Sequence, residues 1–204
     1  MRKIAITGGI ACGKTTVATT LAEFGATLIN TDTLSHLLTS AGGEGVSPIQ
    51  NAFGDYVINE DGSVNRMKLG QIVFSNATKL AELNSILHPL IEKITCEEIE
   101  RCRIQGEKLV FIDIPLLFEA NMQHLADTIV CVSVSSEIQK SRIIARDSLS
   151  EDEAVKRIQS QLPLSEKEAM SDIVIRTDDL EPPLLKRLKG YFEQWLKEDK
   201  EVNA

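Results

Sequence analysis

The spacing of apolar and polar positions changes several times along this chain. "KIAIT" (3–7) is a short apolar run with β-branched members and reads as a buried strand. The next segment, "KTTVATTLAEFG", places Val17, Leu21 and Phe24 at helical spacing, with Gly25 just past the end as a C′ residue. "ATLIN" (26–30) returns to strand character. Strand, helix, strand in thirty residues is a βαβ unit, which requires a parallel sheet. "KLVFIDI" (108–114) and "TIVCVSV" (128–134) are near-continuous apolar runs, as expected of strands covered on both faces, and "DIVI" (172–175) is a fifth short strand.

Between the second and third strands the rhythm is helical. "SAGGEGVSP" (40–48) is loop by composition, and Met67 to about Gln105 follows a helical pattern. Pro89 is expected as the first residue of a new helix whose apolar face carries Leu90, Ile91, Ile94 and Ile99. Three Ser-x-x-Gln/Glu pairs read as capping boxes opening later helices: Ser136 with Gln139, Ser150 with Glu153, and Ser165 with Glu168. The last two, separated by Pro163, outline a charged helix–break–helix excursion. A final helix from about Pro183 lines up Leu184, Leu188, Tyr191, Trp195 and Leu196 on one stripe. The expected fold is α/β, a five-stranded parallel sheet flanked by helices, with a helical insertion.

Composition adds boundaries. The chain has 204 residues, 43% hydrophobic and 25% charged, enough for one domain with an insertion and a normal core. A net charge of −8 without a dense Lys/Arg block argues against nucleic acid as partner. Cys12, Cys96, Cys102 and Cys131 have neither CxxC nor zinc-ligand spacing and read as free thiols of a reducing cytoplasm. No apolar run approaches the roughly 20 residues that span a bilayer. Arg2 and Lys3 resemble the start of an export signal, but Ile4 to Ile10 is interrupted by Thr7, Gly8 and Gly9, and Lys14 follows at once.

The chemistry concentrates in "GGIACGKTT" (8–16). Gly8-x-x-x-x-Gly13-Lys14-Thr15 is a complete P-loop between a strand and a helix, so the expected fold is that of a P-loop NTPase. Its glycines let successive N–H groups, through Gly9, Ile10, Ala11, Cys12, Gly13 and Thr16, face phosphate at a helix N-terminus. Lys14 reaches the β- and γ-phosphates of ATP, and the Thr15 hydroxyl ligates Mg²⁺. Asp32 follows the second strand on the edge where open α/β sheets bind ligands; it reads either as a base for an attacking hydroxyl or as a helix N-cap. Asp113 ends a strand as a Mg²⁺-facing aspartate would, or else starts the turn before Pro115. Arg142 and Arg146, four apart, either close over transferring phosphate or form a solvated face. His36, His88 and His124 have no triad or metal context. Cys12, beside a helix N-terminus and Lys14, reads either as a thiol that favours thiolate and reacts with alkylating reagents or as one shielded from them by the loop amides.

Taken in order, "ITGGIACGKTTVA", "LINTD", "FG" (53–54), "DGSVNR" (61–66), "LNSILHPLI" (83–91), "IPLLFE" (114–119), "RIIARD" (142–147), "RIQSQ" (157–161) and "SDIVI" (171–175) resemble the dephospho-CoA kinase family nearly end to end. The resemblance implies MgATP-dependent phosphorylation of the ribose 3′-hydroxyl of dephospho-CoA. It makes Asp32 the catalytic carboxylate, with Lys14 and Arg142, and gives Arg146 to ATP. It makes 142–165 an ATP lid on a core of 1–35 and 106–204, and 36–105 the acceptor-binding insertion, with His88 and Leu117 as acceptor contacts. Asn30 departs from the family's usual aspartate, Cys12 from its P-loop serine and Thr177 from an asparagine. Another small-molecule P-loop kinase, acting on a nucleotide or nucleoside, is the competing expectation. A GTPase switch is not, since NKxD-like and DxxG motifs are missing from the sequence.

Overall fold

A computed structural model describes residues 1–179 and 183–202. The elements run β1 (Arg2–Gly8), α1 (Lys14–Glu23), β2 (Thr27–Asn30), α2 (Thr31–Thr39), α3 (Val46–Phe53), α4 (Arg66–Val73) and α5 (Ala77–Ile104). After these come β3 (Leu109–Asp113), β4 (Thr128–Ser133), α6 (Ser136–Asp147), α7 (Glu151–Gln159), α8 (Leu164–Ala169), β5 (Ile173–Arg176) and α9 (Leu184–Val202). The chain divides into two compact units, Met1–Asn30 with Ile99–Ala204, and Thr31–Glu98.

The first unit holds the sheet, in the order β2-β3-β1-β4-β5. Every pairing is parallel, with Ile4 level with Phe111 on one side and Thr128 on the other. Parallel strands leave the sheet on one common edge, so the turns after β1, β3 and β4 all emerge there. The apolar runs form the central strands because both faces are covered: Ile4, Ala5, Ile6, Val110, Phe111, Ile112, Val130 and Val132 have no exposed surface. On one face α1 and α9 supply Val17, Leu21, Leu188 and Trp195. Trp195 meets Phe111 edge-on at 5.8 Å and stacks with Tyr191 at 5.7 Å. Truncating such a buried indole typically costs about 3–5 kcal/mol. Phe192, absent from the predicted stripe, also packs here and meets Phe24 edge-on.

The second unit is helical and has its own core of Ile49, Val57, Val64, Leu69, Val73 and Leu83. Asn65 caps α4 by accepting from the Lys68 N–H at 3.0 Å. Here the structure corrects one expectation: Pro89 begins no new helix but lies inside the continuous α5. A proline there removes one bond to the carbonyl four residues back, that of Ser85. Both Pro89 and Ser85 are exposed, so the freed carbonyl can turn to water.

Two capping boxes also differ. Ser150 and Glu153 form theirs, opening α7. Ser136 is instead the first helical residue of α6 behind Ser135, and no side chain caps that end. Similarly, α8 starts after Pro163, which places Ser165 inside the first turn. In both cases the last residue of the motif is engaged elsewhere: Gln139 bonds the Ile10 carbonyl and Glu168 the Ser133 hydroxyl.

Candidate active site

The loop between β1 and α1 leaves the central strand, on the edge of the first unit where the strands end. Gly8 comes within 2.3 Å of the Val132 carbonyl at the point where a Cβ would stand, so no larger residue fits. Gly13 ends the loop in the left-handed region at φ 87°, and Ala11 does the same at φ 59°. For a residue with a Cβ that conformation costs roughly 1–2 kcal/mol, which the surrounding bonds must offset. The N–H groups of Gly13, Lys14, Thr15 and Thr16 open α1, and an α-helix leaves such donors without intrahelical partners. They suit an anion.

Lys14 and Asp113 form an ion pair, with the Asp113 side chain only 3% exposed. Asn30 Nδ2 donates to the other carboxylate oxygen at 3.0 Å. Asp113 is thus a buried anchor at the end of β3 and does not act as a turn starter. A carboxylate this buried is tolerated because a cation and an amide both meet it. Asn30 is the residue that departs from the family's usual aspartate. A second carboxylate in its place would face Asp113 with like charge at hydrogen-bond distance, whereas the amide donates.

Of the loop residues nominated from sequence, Ile10 already gives its N–H to Gln161 Oε1 at 3.0 Å, and Cys12 gives its N–H to Gly9 O at 3.3 Å. Thr15 and Thr16 are exposed. The reactive reading of the Cys12 thiol is overturned. The side chain has no exposed surface and belongs to the sheet core, and burial pushes its pKa up to about 11. Desolvation of the thiolate outweighs the Gly9 backbone bond and the nearby Arg142 charge, both of which act the other way.

Arg142 is engaged at the phosphate loop and is not a solvated residue. Its Nη1 lies 3.3 Å from Ala11 O and 3.1 Å from Thr177 Oγ1. Arg146 is exposed and pairs with Asp147, which also takes Arg157 from α7. The Arg146 bond, with Arg157 assisting, holds the Asp147 carboxyl below its usual range. Leu117 is fully buried in the segment after β3, while its neighbour Leu116 is exposed. In the same segment Glu119 accepts the Leu162 N–H at 3.0 Å and pairs with the wholly buried Lys167 at 2.7 Å.

The helical unit carries two nominated residues. Asp32 is not an N-cap, since α2 already begins at Thr31 and Asp32 lies within its first turn. His88 is half-buried on α5, and burial lowers its pKa, so the neutral ring is favoured. Among the described residues no group of three His, Cys, Asp or Glu side chains is placed to hold a metal.

Gln139, Gln161 and Thr177, which all touch the loop, were not picked out as site residues by local pattern. Gln161 lies inside "RIQSQ" and Thr177 just past "SDIVI", while Gln139 carried only its capping-box spacing from Ser136. Their partners lie 129 to 165 residues away in sequence.

A profile of the dephospho-CoA kinase family matches residues 2–181. A dephospho-CoA kinase of Carboxydothermus hydrogenoformans is 42% identical over 84% of this chain and 84% of its own length. One from Listeria monocytogenes is 35% identical over 96% of this chain and 98% of its own. Among solved structures, TT1252 from Thermus thermophilus superposes with a TM-score of 0.78 at 29% identity, covering 95% of this chain and 97% of that one.

Proposed function

The chain belongs to the dephospho-CoA kinase family, and on that premise we propose that it transfers the γ-phosphoryl group of ATP to the ribose 3′-hydroxyl of dephospho-CoA. The observation that carries this reading is Lys14 at the foot of the β1–α1 loop, ion-paired to buried Asp113. The pair keeps an ammonium group at the phosphate site until a more highly charged partner arrives. Lys14 then moves to the phosphate oxygens, where positive charge is worth most as charge develops in transfer. The N–H groups at the start of α1 hold the nucleotide phosphates, and Arg142 adds a second cation beside the loop.

Asp32 orients the acceptor hydroxyl and takes its proton. Little else is asked of the protein in phosphoryl transfer, where positioning and charge stabilisation dominate. The exposed Thr15 hydroxyl and the Asp113 carboxylate, hard oxygen donors of the kind Mg²⁺ prefers, would hold the ion, which would supply charge neutralisation at the phosphates. The helical insertion, 36–105, is the acceptor-binding part, where His88 would serve as a neutral hydrogen-bonding group; Leu117 is the further acceptor contact. Residues 142–165 are the lid, tied together by Asp147 with Arg146 and Arg157 and joined to the preceding turn of α6 by Glu151 with Lys140. Arg146 meets ATP from that lid. Small-molecule substrates and a cytoplasmic site are supported by the acidic balance and by the free cysteines among the described residues.

The test is coupled ADP release with an acceptor panel of dephospho-CoA, nucleosides and nucleoside monophosphates. Dephospho-CoA should stimulate release far above water. A nucleotide that does so while dephospho-CoA does not would overturn the acceptor assignment.

A further inference from the structure

Three successive carbonyls of the phosphate loop are bonded by side chains from outside it. Ile10 O accepts from Gln139 Nε2 at 2.9 Å, Ala11 O from Arg142 Nη1 at 3.3 Å and Cys12 O from Thr177 Oγ1 at 2.9 Å. Gln139 is 4% exposed, a buried amide on α6. The Thr177 hydroxyl has one proton and two carbonyls in range, and Cys12 O is nearer than Ser133 O at 3.4 Å. Thr177 itself is fixed by its N–H to Ser133 O at 2.9 Å and by Arg142, which donates to its hydroxyl. A Cβ at Gly9 would lie 2.7 Å from Gln139 Nε2, so any larger residue there would push that amide from its place on Ile10 O.

The planar trans peptide turns these bonds into an aiming device. In such a unit the C=O of one residue and the N–H of the next point in opposite directions. Holding Ile10 O toward Gln139 therefore aims the Ala11 N–H the other way, and holding Cys12 O toward Thr177 does the same for Gly13. The intervening Cys12 N–H is spent on Gly9 O. A loop left to itself would relax Ala11 out of its left-handed conformation and let a carbonyl swing toward the anion, where it repels.

We infer that Gln139 and Thr177 are positioning residues that act through the loop: by fixing the carbonyls of Ile10 and Cys12 outward, they keep the N–H groups of Ala11 and Gly13 trained on phosphate before nucleotide arrives. The inference rests on the loop being a nucleotide phosphate cradle. Preformed donors spare the ligand the cost of ordering them, so the device contributes to affinity for the phosphates rather than for the base or the acceptor.

The test uses tripolyphosphate, which has no base, alongside ADP. The parent protein should bind both, and the Ala11 and Gly13 amide signals should move on titration. Thr177→Val keeps the shape and loses the donor; Gln139→Met does the same at the other position. Each should weaken tripolyphosphate about three- to tenfold, the worth of one hydrogen bond. Each should also blunt one amide response selectively, Gly13 for Thr177→Val and Ala11 for Gln139→Met. Thr177→Ser, which keeps the hydroxyl, should restore binding, and KM for dephospho-CoA should not move. A merely structural role would lower the melting temperature without this pairing of variant to amide. If the parent binds tripolyphosphate and both variants bind it equally well, the inference is overturned and the cradle stands. If the parent binds neither ligand, the cradle reading falls and the inference with it.

Discussion

Cys12 gives the sharpest contrast between local pattern and folded environment, and its reactivity can be worked out. A thiol of ordinary pKa 9.0 is about one-tenth ionised at pH 8, whereas at about 11 the ionised fraction of Cys12 falls to about one in a thousand. The higher pKa makes the thiolate a better nucleophile, which with a Brønsted slope of about 0.4–0.5 recovers nearly tenfold of that hundredfold deficit. Cys12 should therefore react with a small disulfide reagent about tenfold more slowly than an ordinary thiol, before its lack of exposed surface is counted. The assay is dithiodipyridine labelling at pH 8 with peptide mapping over time. Exposed Cys96 should label first, with Cys12 and Cys131, the latter pushed up to about 12, well behind. Because the raised pKa belongs to the folded state, the stability it contributes is full below pH 9 and is lost as pH rises toward 11. For Cys12 alone that amounts to about 3 kcal/mol. Labelling of Cys12 as fast as Cys96, blocked by ATP, would refute the reasoning.

Other outcomes follow from the same geometry. Lys14→Ala should cut turnover by about 10²-fold or more, since its charge acts chiefly on the transferring group; steady-state ADP release checks this. Asp32→Asn should lower kcat by roughly 10²–10⁴-fold, the usual size of a general-base contribution, with KM little changed. A variant keeping half the parent kcat would remove Asp32 from the chemistry. Lys167→Met breaks the pair with Glu119, whose side chain is 23% exposed and can turn to water. The loss should therefore be about 2 kcal/mol, less than that of a wholly buried pair, and should lower Tm by roughly 5 °C in a thermal melt.

The sheet was legible because each strand is a run of apolar residues whose burial needs no knowledge of its neighbours. The P-loop was legible because its glycines answer a local backbone demand. What escaped local reading depended on distant partners. Ser136 and Gln139 have capping-box spacing, yet the Gln139 amide is worth more against the Ile10 carbonyl in a buried site than at an exposed helix end. Pro89 looked like a helix start because proline usually breaks helices, but an exposed position lets water satisfy the carbonyl it leaves bare. Cys12 looked activated by its sequence neighbours, while its side chain points into the core and desolvation decides. Asp113 was ambiguous until Lys14 and Asn30 were seen to meet it.

Phosphoryl transfer from ATP to the 3′-hydroxyl of dephospho-CoA can be followed directly. Phosphorus NMR of the parent protein with ATP, Mg²⁺ and dephospho-CoA measures donor and product together. A new ribose 3′-phosphomonoester resonance should grow one-for-one with ADP. ADP accompanied by inorganic phosphate, with no phosphomonoester, would contradict that transfer.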